Sequence, residues 1–370
     1  MRFGIDARLN AYRQGGIAQY TQHLITALAP QAPTDEFVLL QHLRQRRPLV
    51  VAPNVRRATL LTPPHHRYEQ WSLPVEVWRQ RLDGLHCPDF IAPRRRPCPA
   101  VITIHDLAFL HFPALLDAAA RRFYGQVRAA AHDAEAVITV SQATREDITA
   151  KLDLPPERIT VIYEAAAPHF TPLVLPPNAT RTINGHRLEA DTFLLFVSTL
   201  EPRKNLTTLL RALRVSLDRH PQAGFRLVLA GARGWLDAPI YALAQELRLH
   251  DALCWLGSVA PDDLLWLYRA CRLYLNPSLY EGFGLPVLEA MACGAPCLVA
   301  NTSSLPEIAG DAALLVPPRD VEAWAETLSG LWADAAARAE FARRGVARAA
   351  TFSWVHAAHE TLAVYRRIAL

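Results

Sequence analysis

Lysine is almost missing from this sequence: of 39 basic residues only Lys151 and Lys204 are lysines, and all others are arginine. A lysine standing directly beside Arg203 is therefore informative. Long apolar runs are also missing, which excludes a membrane-spanning helix of about 20 residues. The start, Met1-Arg2-Phe3-Gly4-Ile5-Asp6, reads as a buried first strand rather than a secretory leader, so a cytoplasmic location is expected. The six cysteines (Cys87, Cys98, Cys254, Cys271, Cys293 and Cys297) lack metal-ligand spacing and are expected to be core thiols. No Gly-x-Gly-x-x-Gly follows the first strand, which argues against a dinucleotide dehydrogenase. Neither an Asp-x-Asp metal motif nor a nucleic-acid motif is present. Charged residues make up 20% and apolar residues 51%, a balance that excludes a disordered chain.

What is present is an alternation of short apolar strands and amphipathic helices along all 370 residues, the pattern of α/β units around parallel sheets. Strands are predicted over 3–6, 37–41, 101–105, 136–140 and 159–162 in the first half. In the second half they are predicted over 193–198, 225–230, 253–256, 273–276, 297–300 and 313–316. The proline-rich stretch Pro168–Pro177 reads as a linker. Two doubly wound domains, 1–172 and 173–350, are expected to form a cleft, followed by a terminal helix in 351–370 that either caps the chain or packs back on the first domain. Ligands of such sheets bind beyond the carboxyl ends of the strands, so residues just after strands become candidates.

The richest stretch is Glu281-Gly282-Phe283-Gly284-Leu285-Pro286-Val287-Leu288-Glu289. Two glycines let backbone come close to a ligand, and Pro286 suits a first helical turn because its missing N–H would be unpaired there. The free N–H groups of that turn can hold a phosphate, and the carboxylates on either side suit hydroxyls. Diphosphate between two polyols is a nucleotide-sugar. Gly15-Gly16, after the first strand, is either a turn or a second backbone approach to a ligand. His105 and Asp106 end another strand, where a histidine is structural or catalytic and the aspartate caps the next segment or binds donor. Arg203-Lys204 stands at a helix entrance, where direct charge and the helix terminus both favour an anion. Arg44, Arg46, Arg47, Arg56, Arg57 and Arg94-Arg95-Arg96 crowd the first third although net charge is only +4. No aromatic or amphipathic pattern is evident beside them, so a solvated face is the expected reading, with anionic lipid or a charged acceptor as the alternative.

The run Pro277 to Pro296, with Ser303-Ser304-Leu305-Pro306-Glu307 and Gly15-Gly16, resembles the family 4 (group 1) retaining glycosyltransferases of GT-B fold over essentially the whole chain. The resemblance implies that Glu281 contacts donor-sugar hydroxyls and Glu289 the ribose. Gly282, Phe283, Gly284 and Leu285 would hold sugar and phosphate through backbone, and Arg203 and Lys204 would neutralise the diphosphate. His105 would line the reaction centre. Many members carry arginine where Ser198 stands here, so Arg203 is expected to supply that charge. The His105-Asp106 and Glu201-Pro202-Arg203-Lys204-Asn205 pattern is similar to bacterial mannosyltransferases of polysaccharide assembly, which places GDP-mannose first and UDP-sugars second as donor. A glycan or lipid-linked acceptor, no metal, no nucleic-acid partner and peripheral contact with the inner membrane face are further expectations. A nucleotide-sugar epimerase of the same architecture and a non-catalytic binding protein remain as alternatives.

Overall fold

The computed structural model describes residues 1–12, 15–234 and 236–369. The chain divides into two compact units, Met1–Glu164 with Ser353–Leu370, and Ala165–Phe352. The Pro168–Pro177 stretch belongs to the second unit, where Phe170 is buried against Tyr268 and Arg269 donates to the Thr171 carbonyl at 2.8 Å.

In the first unit, strands β1 (Arg2–Asp6), β2 (Glu36–His42), β3 (Val55–Leu60), β4 (Gly84–Cys87), β5 (Ala100–Ile104), β6 (Ala136–Thr139) and β7 (Ile159–Val161) form one sheet. Its order is β3-β2-β1-β4-β5-β6-β7, and every pairing is parallel. Strands β4, β5 and β6 are buried at every position, as apolar runs covered on both faces must be. Two of the seven strands carried weak signals. Edge strand β3 includes Arg56 and Arg57, while β4 is four residues long and includes Gly84 and His86.

The second unit opens with the antiparallel hairpin β8 (Thr180–Ile183) and β9 (His186–Glu189), turned by Asn184 and Gly185 at positive φ as a two-residue loop requires. Its main sheet contains β10 (Leu194–Val197), β11 (Leu227–Ala230), β12 (Leu253–Gly257), β13 (Leu273–Asn276), β14 (Cys297–Ala300) and β15 (Ala313–Val316). The order is β12-β11-β10-β13-β14-β15. In each unit the order reverses between two neighbouring parallel strands, β1 with β4 and β10 with β13. Those reversals open the crevices where doubly wound sheets bind ligands. All six cysteines are buried and free, and among the described residues no helix is long and apolar enough to cross a membrane.

The helix Trp354–Ala369 belongs to the first unit. Its Trp354 ring lies 5.8 Å from Tyr20 and 5.3 Å from His23, and Tyr365 packs 4.9 Å from Phe3. The Tyr365 hydroxyl and His86 Nδ1 are 2.6 Å apart, while His86 Nε2 meets Thr103 Oγ1 at 2.7 Å. Burial, helped by the charge of His105, pushes His86 down to about 3. Between pH 6.5 and 3 the unfolded chain therefore takes up a proton that the folded chain refuses, so His86 costs stability as pH falls. The expected loss is roughly 2–3 kcal/mol between pH 6.5 and 4.5. Urea titrations across that range should show it, and His86→Gln should flatten this part of the slope.

Candidate active site

In the second unit the site grows from the reversal between β10 and β13. Because these strands run parallel side by side, the loops that leave their carboxyl ends emerge together. The β10 loop carries Ser198, half-buried, and ends in the 3-10 turn Pro202–Lys204. Asn205, at φ 55°, then turns the chain into the helix Leu206–Arg219. Its side chain donates to the carbonyls of Pro277 (2.9 Å) and Pro318 (2.5 Å), and Leu279 N–H donates to the Arg203 carbonyl at 2.9 Å. These bonds stitch the two loops together.

Arg203, Lys204 and Glu281 meet there. Lys204 Nζ donates to both carboxylate oxygens of Glu281, at 2.7 and 2.9 Å, and Ser278 Oγ donates to Oε1 at 2.7 Å. Arg203 reaches Glu281 Oε2 at 3.5 Å, the Tyr280 carbonyl at 3.1 Å and Glu201 at 2.7 Å. Lys204 and Glu281 are both buried. Burial would raise the Glu281 carboxyl, but the charges of Lys204 and Arg203 and the bonds from Lys204 and Ser278 outweigh it and hold the carboxyl below its ordinary range. The group is an anchored carboxylate. An ammonium carries three donors, and Glu281 takes two of them.

Beyond Glu281 the backbone is pinned from outside. Ser303 Oγ accepts from Glu281 N–H at 2.9 Å, and Ser304 Oγ lies 2.9 Å from the Glu281 carbonyl and 2.8 Å from that of Phe283. Phe283 is buried, its ring 5.9 Å from that of Phe352. Gly284 stands at φ 102° before the helix Leu285–Ala292, and a Cβ there would approach Leu305 Cδ2 to 2.9 Å. Pro286 brings no N–H to that helix's first turn, and the Val287 and Leu288 amides donate to the Gly284 carbonyl at 2.9 and 3.3 Å. One turn on, buried Glu289 accepts from the Tyr268 hydroxyl at 2.9 Å, which fixes the orientation of its carboxylate.

One element of this site had no sequence signal beyond a turn. Gly231, after β11, has φ 148°, and a Cβ on it would fall 1.9 Å from the Ser198 carbonyl oxygen. A Cβ on Gly234 would lie 2.2 Å from the Leu200 carbonyl oxygen. The β11 loop thus lies directly on the β10 loop, a contact only glycine permits. Ser278, Ser303 and Ser304 stand inside the stretches that carry the resemblance but had no role assigned there, and Tyr268 was silent, because a single hydroxyl in a loop or helix has no distinguishing pattern.

The first unit gathers a second set. Gly15, Gly16, His105 and Asp106 line one cavity of about 570 Å³. Neither glycine needs its freedom for a strained turn or a crowded contact: Gly15 sits at φ −86°, and a Cβ on either would meet nothing within 4 Å. Their bare backbone opens the start of the helix Gly16–Gln31 to the cavity. Asp106 Oδ1 accepts from Ala108 N–H at 2.9 Å, the local capping role. His105 Nδ1 faces Glu164 at 3.1 Å, and Nε2 faces the Pro88 carbonyl at 2.9 Å. Both partners are acceptors, which favours protons on both ring nitrogens. Burial opposes that charge, but the bond and charge of Glu164, with help from the Pro88 carbonyl and Asp89, prevail and raise His105 above its ordinary value. His65 and Asp89 also line the cavity, 2.7 Å apart, and sequence reading had not singled them out. Arg8 is buried nearby in the same unit, paired to Asp6 at 2.6 Å and Glu69 at 2.5 Å. Among the described residues no group of three or more His, Cys, Asp or Glu could hold a metal ion.

With this geometry in hand, the chain matches two family models: residues 180–348 match "Glycosyl transferases group 1", and residues 14–167 match "Glycosyltransferase Family 4". It is 33% identical over 304 residues to the O-antigen chain mannosyltransferase B of Escherichia coli, covering 82% of this chain and 78% of that protein. It is 31% identical over 250 residues to the serotype-specific mannosyltransferase WbdA of the same species, covering 67% of this chain and 31% of the longer relative. Among solved structures, sucrose-phosphate synthase from Thermosynechococcus elongatus aligns at TM-score 0.78 and 21% identity, over 99% of this chain and 98% of that one. Anabaena HepE in complex with UDP and glucose aligns at 0.74 and 19% identity, over 99% and 100%. These likenesses establish the two-domain α/β fold of GT-B glycosyltransferases.

Proposed function

The chain belongs to the family 4, group 1 glycosyltransferases, and from that premise we propose that it moves a hexose from a nucleoside-diphosphate sugar to a hydroxyl of a glycan or lipid-linked acceptor. The observation that carries this reading is the buried Lys204–Glu281 pair at the strand reversal, with Arg203 beside it. Cleavage of the anomeric bond leaves positive charge on the sugar and negative charge on the diphosphate. Fixed groups aimed at those charges lower the barrier. Arg203, Lys204 and the Leu285 amide at the start of Leu285–Ala292 take the diphosphate. Glu281 and Glu289 take hydroxyls of the sugar and the ribose.

Because cationic side chains neutralise the leaving group, transfer is metal-independent in this reading. Adding a chelator should leave the rate unchanged, and a strict Mg²⁺ requirement in the transfer assay would defeat the point. Retention follows from attack on the face that the phosphate leaves, with the departing phosphate taking the acceptor proton. Trapping a glycosyl–enzyme adduct would overturn that route. His105 adds positive charge to the wall of the first-unit cavity rather than serving as a base.

GDP-mannose is the favoured donor, since curated relatives bear the name mannosyltransferase, and UDP-sugars come second because HepE is solved with UDP. A thermal-shift panel of nucleotide sugars tests the choice. At a hundred times its dissociation constant, a ligand specific to the folded state adds about 2.7 kcal/mol. GDP-mannose should raise the melting temperature most. A larger rise with a UDP-sugar would reverse the order.

A further inference from the structure

Helix Glu69–Trp78 turns Glu69, Leu73 and Val77 inward, where all three are buried. Its other face is the surprise: Tyr68, Trp71, Val75 and Trp78 stand 53%, 75%, 54% and 70% exposed. Positions 68, 71, 75 and 78 repeat at helical spacing, so they form one continuous ridge. Leu61, 69% exposed, adjoins it, because its N–H donates to Glu76 at 2.7 Å. This corrects the expectation that no aromatic or amphipathic pattern accompanies the arginines. The helix breaks the usual rule by showing rings to solvent and a glutamate to the core.

Arginines frame the ridge. Arg67 lies over the Tyr68 ring at 4.6 Å, and Arg79 and Arg81 follow Trp78. Arg94 and Arg95 stand beside the helix's first turn, since Arg94 N–H donates to Gln70 at 2.9 Å. All five are exposed, and none forms an ion pair among the described residues. The two acids of the helix itself are engaged elsewhere: Glu69 with Arg8, Glu76 with the amides of Leu61 and Thr62.

We propose that this face seats on a bilayer surface containing anionic lipid. Tryptophan and tyrosine prefer the headgroup boundary, and unpaired arginines beside them favour negative headgroups. Pairing with a second copy fits less well. The ridge's three rings, at about 150–250 Å² each, do not by themselves reach the ~800 Å² per partner of a stable dimer. Five arginines would also face five more.

The test is co-sedimentation of the full chain with vesicles of phosphatidylcholine alone or with about a third phosphatidylglycerol. The wild type should pellet with the anionic vesicles, weaken with added salt, and remain soluble with the neutral ones. Trp71→Ala/Trp78→Ala should lose about tenfold or more in partitioning while its circular dichroism is unchanged. Arg79→Gln/Arg81→Gln should weaken binding to anionic vesicles. The proposal fails if the wild type ignores anionic vesicles or if the tryptophan variant binds as well as the wild type. It also fails if a wild-type dimer becomes monomeric in that variant, which would make the ridge an interface between copies. No nucleotide sugar enters the assay, so its result and that of the transfer reading are independent.

Discussion

Lys204→Ala is expected to lower turnover at saturating donor about 100- to 1,000-fold, the range for removing a fixed group that meets developing charge. The size of the effect follows from burial. Both partners are shielded from water, so bulk solvent cannot replace the ammonium. The substitution also strands the Glu281 carboxylate, and breaking a buried pair from one side costs about 3–5 kcal/mol. Two losses are thus mixed in one variant, and a third measurement separates them. In Lys204→Ala/Glu281→Gln the stranded charge is gone, so much of the stability should return while turnover stays low. Lys151→Ala, the exposed lysine, should match the wild type. Near-normal turnover in Lys204→Ala and also in Arg203→Ala would refute the diphosphate role.

The second large effect is expected at Gly231. Adding one methyl group there sets a Cβ 1.9 Å from the Ser198 carbonyl oxygen, at a φ of 148° that side chains avoid. Backbone rather than a flexible side chain blocks the way, so one of the two loops must move. Gly231→Ala should cost about 3 kcal/mol or more and weaken nucleotide-sugar binding, because the displaced loop leads into Arg203 and Lys204. Gly224→Ala is the control: its φ is 66°, but a Cβ meets nothing within 4 Å, so it should lose only about 1–2 kcal/mol. Urea titration of both variants, beside thermal shifts with nucleotide sugar, separates strain from crowding. Equal losses would show that the contact with Ser198 does not matter.

These two sites mark the boundary of what the sequence discloses. Strands such as β5 and β13 were legible because apolar runs between turn residues have few other uses. β4 was not, because a four-residue strand with a glycine and a histidine has no periodicity to read. His86 makes sense only once Tyr365, 279 residues away, supplies its partner. The Glu281 to Glu289 stretch was legible because carboxylates, glycines and a proline each answer a separate physical need in one short window. Gly231 serves the same site, but its reason lies in another loop, at the Ser198 carbonyl. The exposed ridge on Glu69–Trp78 escaped for a different cause. Sequence shows which residues share a helix face, but only packing shows which face is turned outward.

The helix Trp354–Ala369 has a consequence for how the chain is made. Synthesis yields the first unit's sheet early, yet Trp354 must emerge before Tyr20 is covered, and Tyr365 before His86 and Phe3 are. At about 5–20 residues per second, those 279 residues take roughly 14–56 s. During that interval the groove beside the helix Gly16–Gln31 is uncovered, while the second unit, continuous in sequence, can close on itself. The unit begun first is finished last. Its open groove is then the surface a chaperone or a protease meets on the nascent chain.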